Sequence, residues 1–128
     1  MAYLQTVERR GRGRAECRLA GDHPMQSVVA VEIEPLPGTD ATVDNAVVGN
    51  ERRSEPLLAE LRGRLRSGLA DPYPALGVVV RLLEVVGTAS GEEGLILDLE
   101  ALSVACRKAI VEASPILMEP LMNIEIAV

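Results

Sequence analysis

Apolar and polar residues alternate most clearly from Ser27 to Leu36, SVVAVEIEPL, where Val29, Val31 and Ile33 fall on one side and Glu32 and Glu34 on the other. That period of two predicts a strand with one solvated face, ended by Pro35, Pro37 and Gly38. Shorter strands are expected at Ala2 to Val7 and Ala15 to Leu19, with the Gly11 to Arg14 stretch, GRGR, as a hairpin turn between them. Ala41 to Val48 reads as a weaker strand or a loop. From Ser54 to about Ser67 the period changes to that of a helix. Ser54 and Glu55 offer an N-cap and Pro56 suits the first turn. Leu57, Leu58, Leu61 and Leu65 form one stripe, Arg62, Arg64 and Arg66 spread over the other faces, and Gly68 suits the C-terminal cap.

Beyond a turn at Asp71-Pro72-Tyr73-Pro74, the run Leu76 to Val86 is too apolar for an edge and predicts an interior strand. Gly87 to Gly94, GTASGEEG, is a loop by composition. A second helix follows through Leu95, Leu99, Leu102, Cys106, Ala109 and Ala113, with Leu95 to Leu97 open to a short-strand reading. Ser114 to Val128, SPILMEPLMNIEIAV, pairs a short apolar strand with an alternating one across Glu119-Pro120, and its apolar positions run to the last residue. This order predicts an α+β two-layer sandwich with both helices on one face of the sheet. A length of 128 residues fits one domain, residues 1–128, and the apolar tail suggests a domain cut from a longer chain.

Composition narrows the function. Apolar residues make up 48% of the chain, yet there is no Phe, no Trp and only two Tyr, so the core is aliphatic and base-stacking platforms are disfavoured. The net charge of −6 falls entirely after Gly68, and ten of the thirteen basic residues lie in two clusters, Arg9 to Arg18 and Arg52 to Arg66. These read as solvated faces of a strand and a helix. Cys17 and Cys106 form no framework and suit a reducing compartment, with Cys106 expected in the core. No run spans a bilayer and the first residues are no signal peptide. His23 has no second ligand placed to share a metal, its neighbour Asp22 does not make it a nucleophile-activating base, and no glycine-lysine phosphate loop is present. The pairs Glu32/Glu34 and Glu92/Glu93 look solvated rather than catalytic. No catalytic residues, metal or cofactor are expected in this chain.

Five short motifs in order, AYLQT at Ala2, VAVEIEPLPG at Val29, VVG at Val47, SGLADPYP at Ser67 and ILMEPLMNIEI at Ile116, resemble domain IV of translation elongation factor G over essentially the whole chain. The resemblance implies a fold like the second domain of ribosomal protein S5, with two helices on a mixed β-sheet. It also implies a module of a multidomain GTPase, whose GTP and Mg would be bound by another domain. Departures concentrate in the two loops that form the family's ribosome-facing tip: Ala20 to Ser27, AGDHPMQS, lacks the glycine-rich basic character, and Val86 to Gly94 lacks the aromatic and histidine features. In this the chain is most similar to the second mitochondrial elongation factor G, which acts with ribosome recycling factor to split subunits. The implied contact residues are Asp22, His23, Pro24, Met25, Thr88 and Ser90, at one end of the domain. Implied partners are the ribosome (small subunit, intersubunit region and rRNA), recycling factor and the GTPase's other domains, without membrane. The mitochondrial matrix is the implied compartment, with the bacterial cytoplasm as alternative. A translocating elongation factor G ranks second, a non-ribosomal interaction module or small enzyme behind.

Overall fold

In the computed structural model, residues 9–35, 42–48, 51–67 and 78–113 are described. The chain order is β1 (Gly11–Leu19), β2 (Met25–Pro35), β3 (Thr42–Asn45), α1 (Glu51–Ser67), β4 (Val78–Val86) and α2 (Gly91–Ala113). These residues form the α+β sandwich, with a sheet ordered β1-β2-β4-β3. β1 with β2 and β2 with β4 run antiparallel, while β3 and β4 run parallel and are joined across α1. The expected strand at residues 2–7, the cap at 68, the turn at 71–74 and the tail at 114–128 lie outside the described residues.

Alternation in β2 decides which face is covered. Val29, Val31 and Ile33 are fully buried against the helices, beside Ala15 of β1 and Val80, Leu82 and Val85 of β4. Both helices cover this face, α2 over β1 and β2 and α1 over β3 and β4. A bulge in β4 preserves the pattern. Pairing shifts from Val31↔Leu82 to Ala30↔Glu84, leaving Leu83 as the extra residue. Without that insertion Glu84 would point into the core; with it Val85 does, and Glu84 faces outward to Arg14. β4 lies between two strands, as expected of a Val-rich run, with Arg81 and Glu84 on the side away from the helices.

Several boundaries differ from the sequence reading. The GRGR stretch is strand, not turn: it opens β1, and the hairpin turn falls instead at residues 20–24. Gly11 and Gly13 are buried under α2, where a Cβ would overlap the backbone carbonyl oxygens of Ala109 and Ala105. Glycine here serves close packing of a strand on a helix rather than a bend. α1 begins at Glu51, so Ser54 lies inside the helix and is not its cap, with its Oγ buried and unpartnered. Pro56 is accommodated within the helix. α2 begins at Gly91, inside the stretch expected to be loop, and Leu95 to Leu97 are helical. The signal is Ser90-Gly91-Glu92-Glu93, the S-x-x-E pattern of a capping box, with two acidic residues favoured at the helix N-terminus. The Gly94 amide donates to the Ser90 carbonyl at 3.1 Å, closing the first turn.

Candidate functional site: the loop pair at one end of the sandwich

The turn between β1 and β2 and the loop between β4 and α2 meet because β2 hydrogen-bonds to β4 and both connections leave the sheet at the same end. Gln26 joins them: its amide donates to Thr88 Oγ1 at 3.0 Å, and its carbonyl accepts from the Ala89 amide at 3.0 Å. Gly87 allows the approach. It adopts a φ of 110°, and a Cβ there would strike the Gln26 carbonyl.

Of the residues expected at this end, Asp22, His23, Pro24, Thr88 and Ser90 are exposed. Met25 is half-buried and opens β2 rather than lying in the turn. Arg18, Leu19, Ala20, Pro24, Met25, Gln26 and Thr88 surround an open depression of about 480 Å³. The exposed Arg18 pairs with its neighbour on β1, its Nε donating to Glu16 Oε1 at 2.6 Å. The Glu16 carboxyl is held below its ordinary range by that bond and by a second from Gln26. The exposed Glu92 and Glu93 follow directly in the first turn of α2.

Beneath the loops lies a polar cluster that periodicity does not reveal. Ser27 occupies a core-facing position of β2 and donates its hydroxyl to Asp98 Oδ1 of α2; both residues are buried. Arg53 of α1, expected on a solvated face, closes the cluster. Its Nε donates to Asp98 Oδ2 at 3.0 Å and its Nη2 to Asp98 Oδ1 at 2.8 Å, a two-pronged ion pair. The remaining donors reach the Gly87 carbonyl from Nη1 and the Val86 carbonyl from Nη2, each at 3.0 Å. An arginine inside an Arg-rich helix start and an aspartate inside an apolar helix are the only sequence traces. Asp98 is the stronger one, because it falls one turn before the buried Leu102.

The opposite face of the sheet takes the first arginine cluster. Glu32, expected to be solvated, is only 5% exposed. Arg12 Nε donates to it at 3.0 Å, and Arg10 and Arg81 pair with it at 3.3 and 3.4 Å. Burial of a carboxylate is tolerable because three guanidinium groups surround it. Glu34 lies beside it, paired with Arg81 at 2.6 Å and Arg10 at 3.0 Å. Those bonds, Arg81's first, hold the Glu34 carboxyl below its ordinary range. Arg14 and Glu84 extend the network at 3.4 Å. These groups neutralise one another and present no acid and base pair for catalysis. Cys106 is buried among core side chains, which pushes its thiol up to about 12. Among the described residues no group of three His, Cys, Asp or Glu is placed to hold a metal ion, and no helix is long and apolar enough to cross a membrane.

No protein-family model matches the chain. Among solved structures it is similar to the crystal structure of a Thermus thermophilus protein, with a TM-score of 0.66 and 17% identity over 84% of this chain. This chain spans only 16% of that protein's length. A second match is the mevalonate kinase of methicillin-resistant Staphylococcus aureus, with a TM-score of 0.48 and 20% identity, covering 82% of this chain and 39% of that one. At 17% identity the first likeness shows a shared fold.

Proposed function

We propose that this chain is the ribosome-contacting domain of a translational GTPase that acts in ribosome recycling, splitting subunits together with recycling factor. The motif resemblance to domain IV of elongation factor G and the α+β sandwich with its paired loops support a ribosome-facing tip at Asp22, His23, Pro24, Met25, Thr88 and Ser90. GTP and Mg would be bound by another domain of the same protein, working in the mitochondrial matrix.

What favours recycling over translocation in this reading is the charge at that end. Three acidic groups, Asp22, Glu92 and Glu93, are exposed there, against the exposed Arg52 and an Arg18 that pairs with Glu16, while Arg53 is committed to Asp98. A tip that grips a codon–anticodon duplex has to meet a dense line of phosphates, which calls for a surplus of cations. This one suits a protein partner and intersubunit contacts better.

The test grafts this chain in place of domain IV of an ordinary elongation factor G. Subunit splitting with recycling factor and GTP is measured in parallel with translocation. Splitting without translocation is the expected result, and translocation at the recipient's native rate would overturn the recycling assignment. Asp22→Ala and His23→Ala in the graft are expected to weaken ribosome engagement while the melting temperature of the domain stays close to that of the parent. A loss of thermal stability without loss of engagement would make these loops structural.

A further inference from the structure

We infer that Arg53 is the positioning residue of the loop pair: through Asp98 and Ser27 it fixes residues 86–89 against the start of β2, and so sets the shape of the end assigned above to ribosome contact. The inference rests on that assignment for its biological use, but its geometry stands alone. One guanidinium ties together four elements. It is anchored in α1, neutralised by Asp98 of α2, lies 3.5 Å from Ser27 Oγ of β2, and donates to the Val86 and Gly87 carbonyls at the exit of β4. Thr88 and Ala89, the residues that bond Gln26, come directly after Gly87.

A lone surface arginine would not hold a loop, because long side chains lose entropy when held in one geometry. Arg53 differs in two respects. Its side chain is 15% exposed and that of Asp98 only 4%. The planar fork also fits a carboxylate with two prongs while its outer edges face two carbonyls, an arrangement that a lysine ammonium cannot reproduce. Losing the fork frees two backbone carbonyls in the loop without removing any residue that faces solvent at the tip.

Arg53→Lys keeps a positive charge beside Asp98, so the domain should still fold. A second variant, Arg53→Met with Asp98→Leu, removes both charges together and leaves neither buried alone. Hydrogen exchange of the Ala89 amide, which bonds the Gln26 carbonyl, reads the loop pair directly. In both variants it should accelerate about tenfold or more, the loss expected when a charge-assisted bond is removed from a locally opening segment. Amides in the middle of β2 and α2 should keep their rates. Unchanged Ala89 exchange, or acceleration spread equally through β2 and α2, would overturn the positioning role. In the graft described above, Arg53→Lys should weaken binding to ribosomes alongside Asp22→Ala and His23→Ala. If the two tip variants bind as the parent does while Ala89 exchange has accelerated, the ribosomal reading of this end fails and the positioning role survives. If they bind weakly but Arg53→Lys binds normally, loop placement by Arg53 has no functional consequence and the inference falls.

Discussion

Gly13 sits where β1 lies directly on α2, and the space a side chain would need is occupied by the backbone of Ala105. Gly13→Ala therefore has no rotamer that relieves the overlap, and strand or helix must move. The expected loss is at least about 1–3 kcal/mol, read as a lowered urea midpoint. Gly63, on the face of α1 where an added Cβ meets nothing, is the control: Gly63→Ala should leave stability unchanged or raise it. The glycines at 11 and 13 read as a turn in the sequence because a strand's reason for containing glycine lies in the other layer, which local composition does not show. Cysteines are easier. Cys106 fits a helix stripe, and its burial raises the thiol to about 12; Cys17 is half-buried and raised by the same cause. Alkylation of the native chain should proceed slowly at Cys17 and reach Cys106 only in denaturant, as peptide mass mapping would show. Rapid native labelling of Cys106 would mean that α2 opens locally.

The helices carry the clearest energetic expectations, because their stripes are long and their partners fixed. Leu61 in α1 and Leu102 in α2 are fully buried, and truncating either to alanine should cost about 2–5 kcal/mol in equilibrium unfolding. Periodicity exposes the leucine stripe of α1 and the strand β2 because each keeps its apolar residues on one face, at helical spacing in α1 and at every second residue in β2. It is weaker for α2. That helix buries Leu97, Leu102 and Ile110 together with the small residues Gly94, Ala101, Ala105, Ala109 and Ala113, while leaving Leu95, Ile96, Val104 and Val111 exposed, so residue size does not separate its two sides. The expected stripe holds at Leu102, Cys106, Ala109 and Ala113 and half-holds at Leu99, but Leu95, at its start, is exposed. The two expected tip loops can be placed by the resemblance, but the Arg53–Asp98–Ser27 cluster cannot. Its three members come from three separate elements, and only the fold brings them together.

Across the whole molecule, the sheet's charged face links stability to acidity. The carboxyls of Glu34 and Glu16 titrate below their ordinary value of 4.5 because arginines bond the ionised forms. A carboxyl with a depressed folded value stabilises the protein above its unfolded value, and that contribution fades as pH falls through the folded value. In that window the unfolded chain binds more protons. Urea midpoints should therefore drop from about pH 5 downward, and Glu16→Gln with Glu34→Gln should flatten the decline. An unaltered acid limb in the double variant would assign the loss to other groups. The net charge of −6 gives no hint of this layer, because paired charges cancel in the sum.

The strand order also imposes a schedule. Among the described strands β4 is made last yet lies between β2 and β3, so neither can gain its inner neighbour until residue 86 has been synthesised. At roughly 5–20 residues per second, the interval from the end of β3 to the end of β4 lasts about two to eight seconds. Throughout it, β1 and β2 can pair as a hairpin, but the edge of β2 that β4 will fill stays open to foreign strands and Val29, Val31 and Ile33 lack α2. A nascent chain in that state is a natural client for a chaperone. A strand that serves as a keystone in space is a deadline in time.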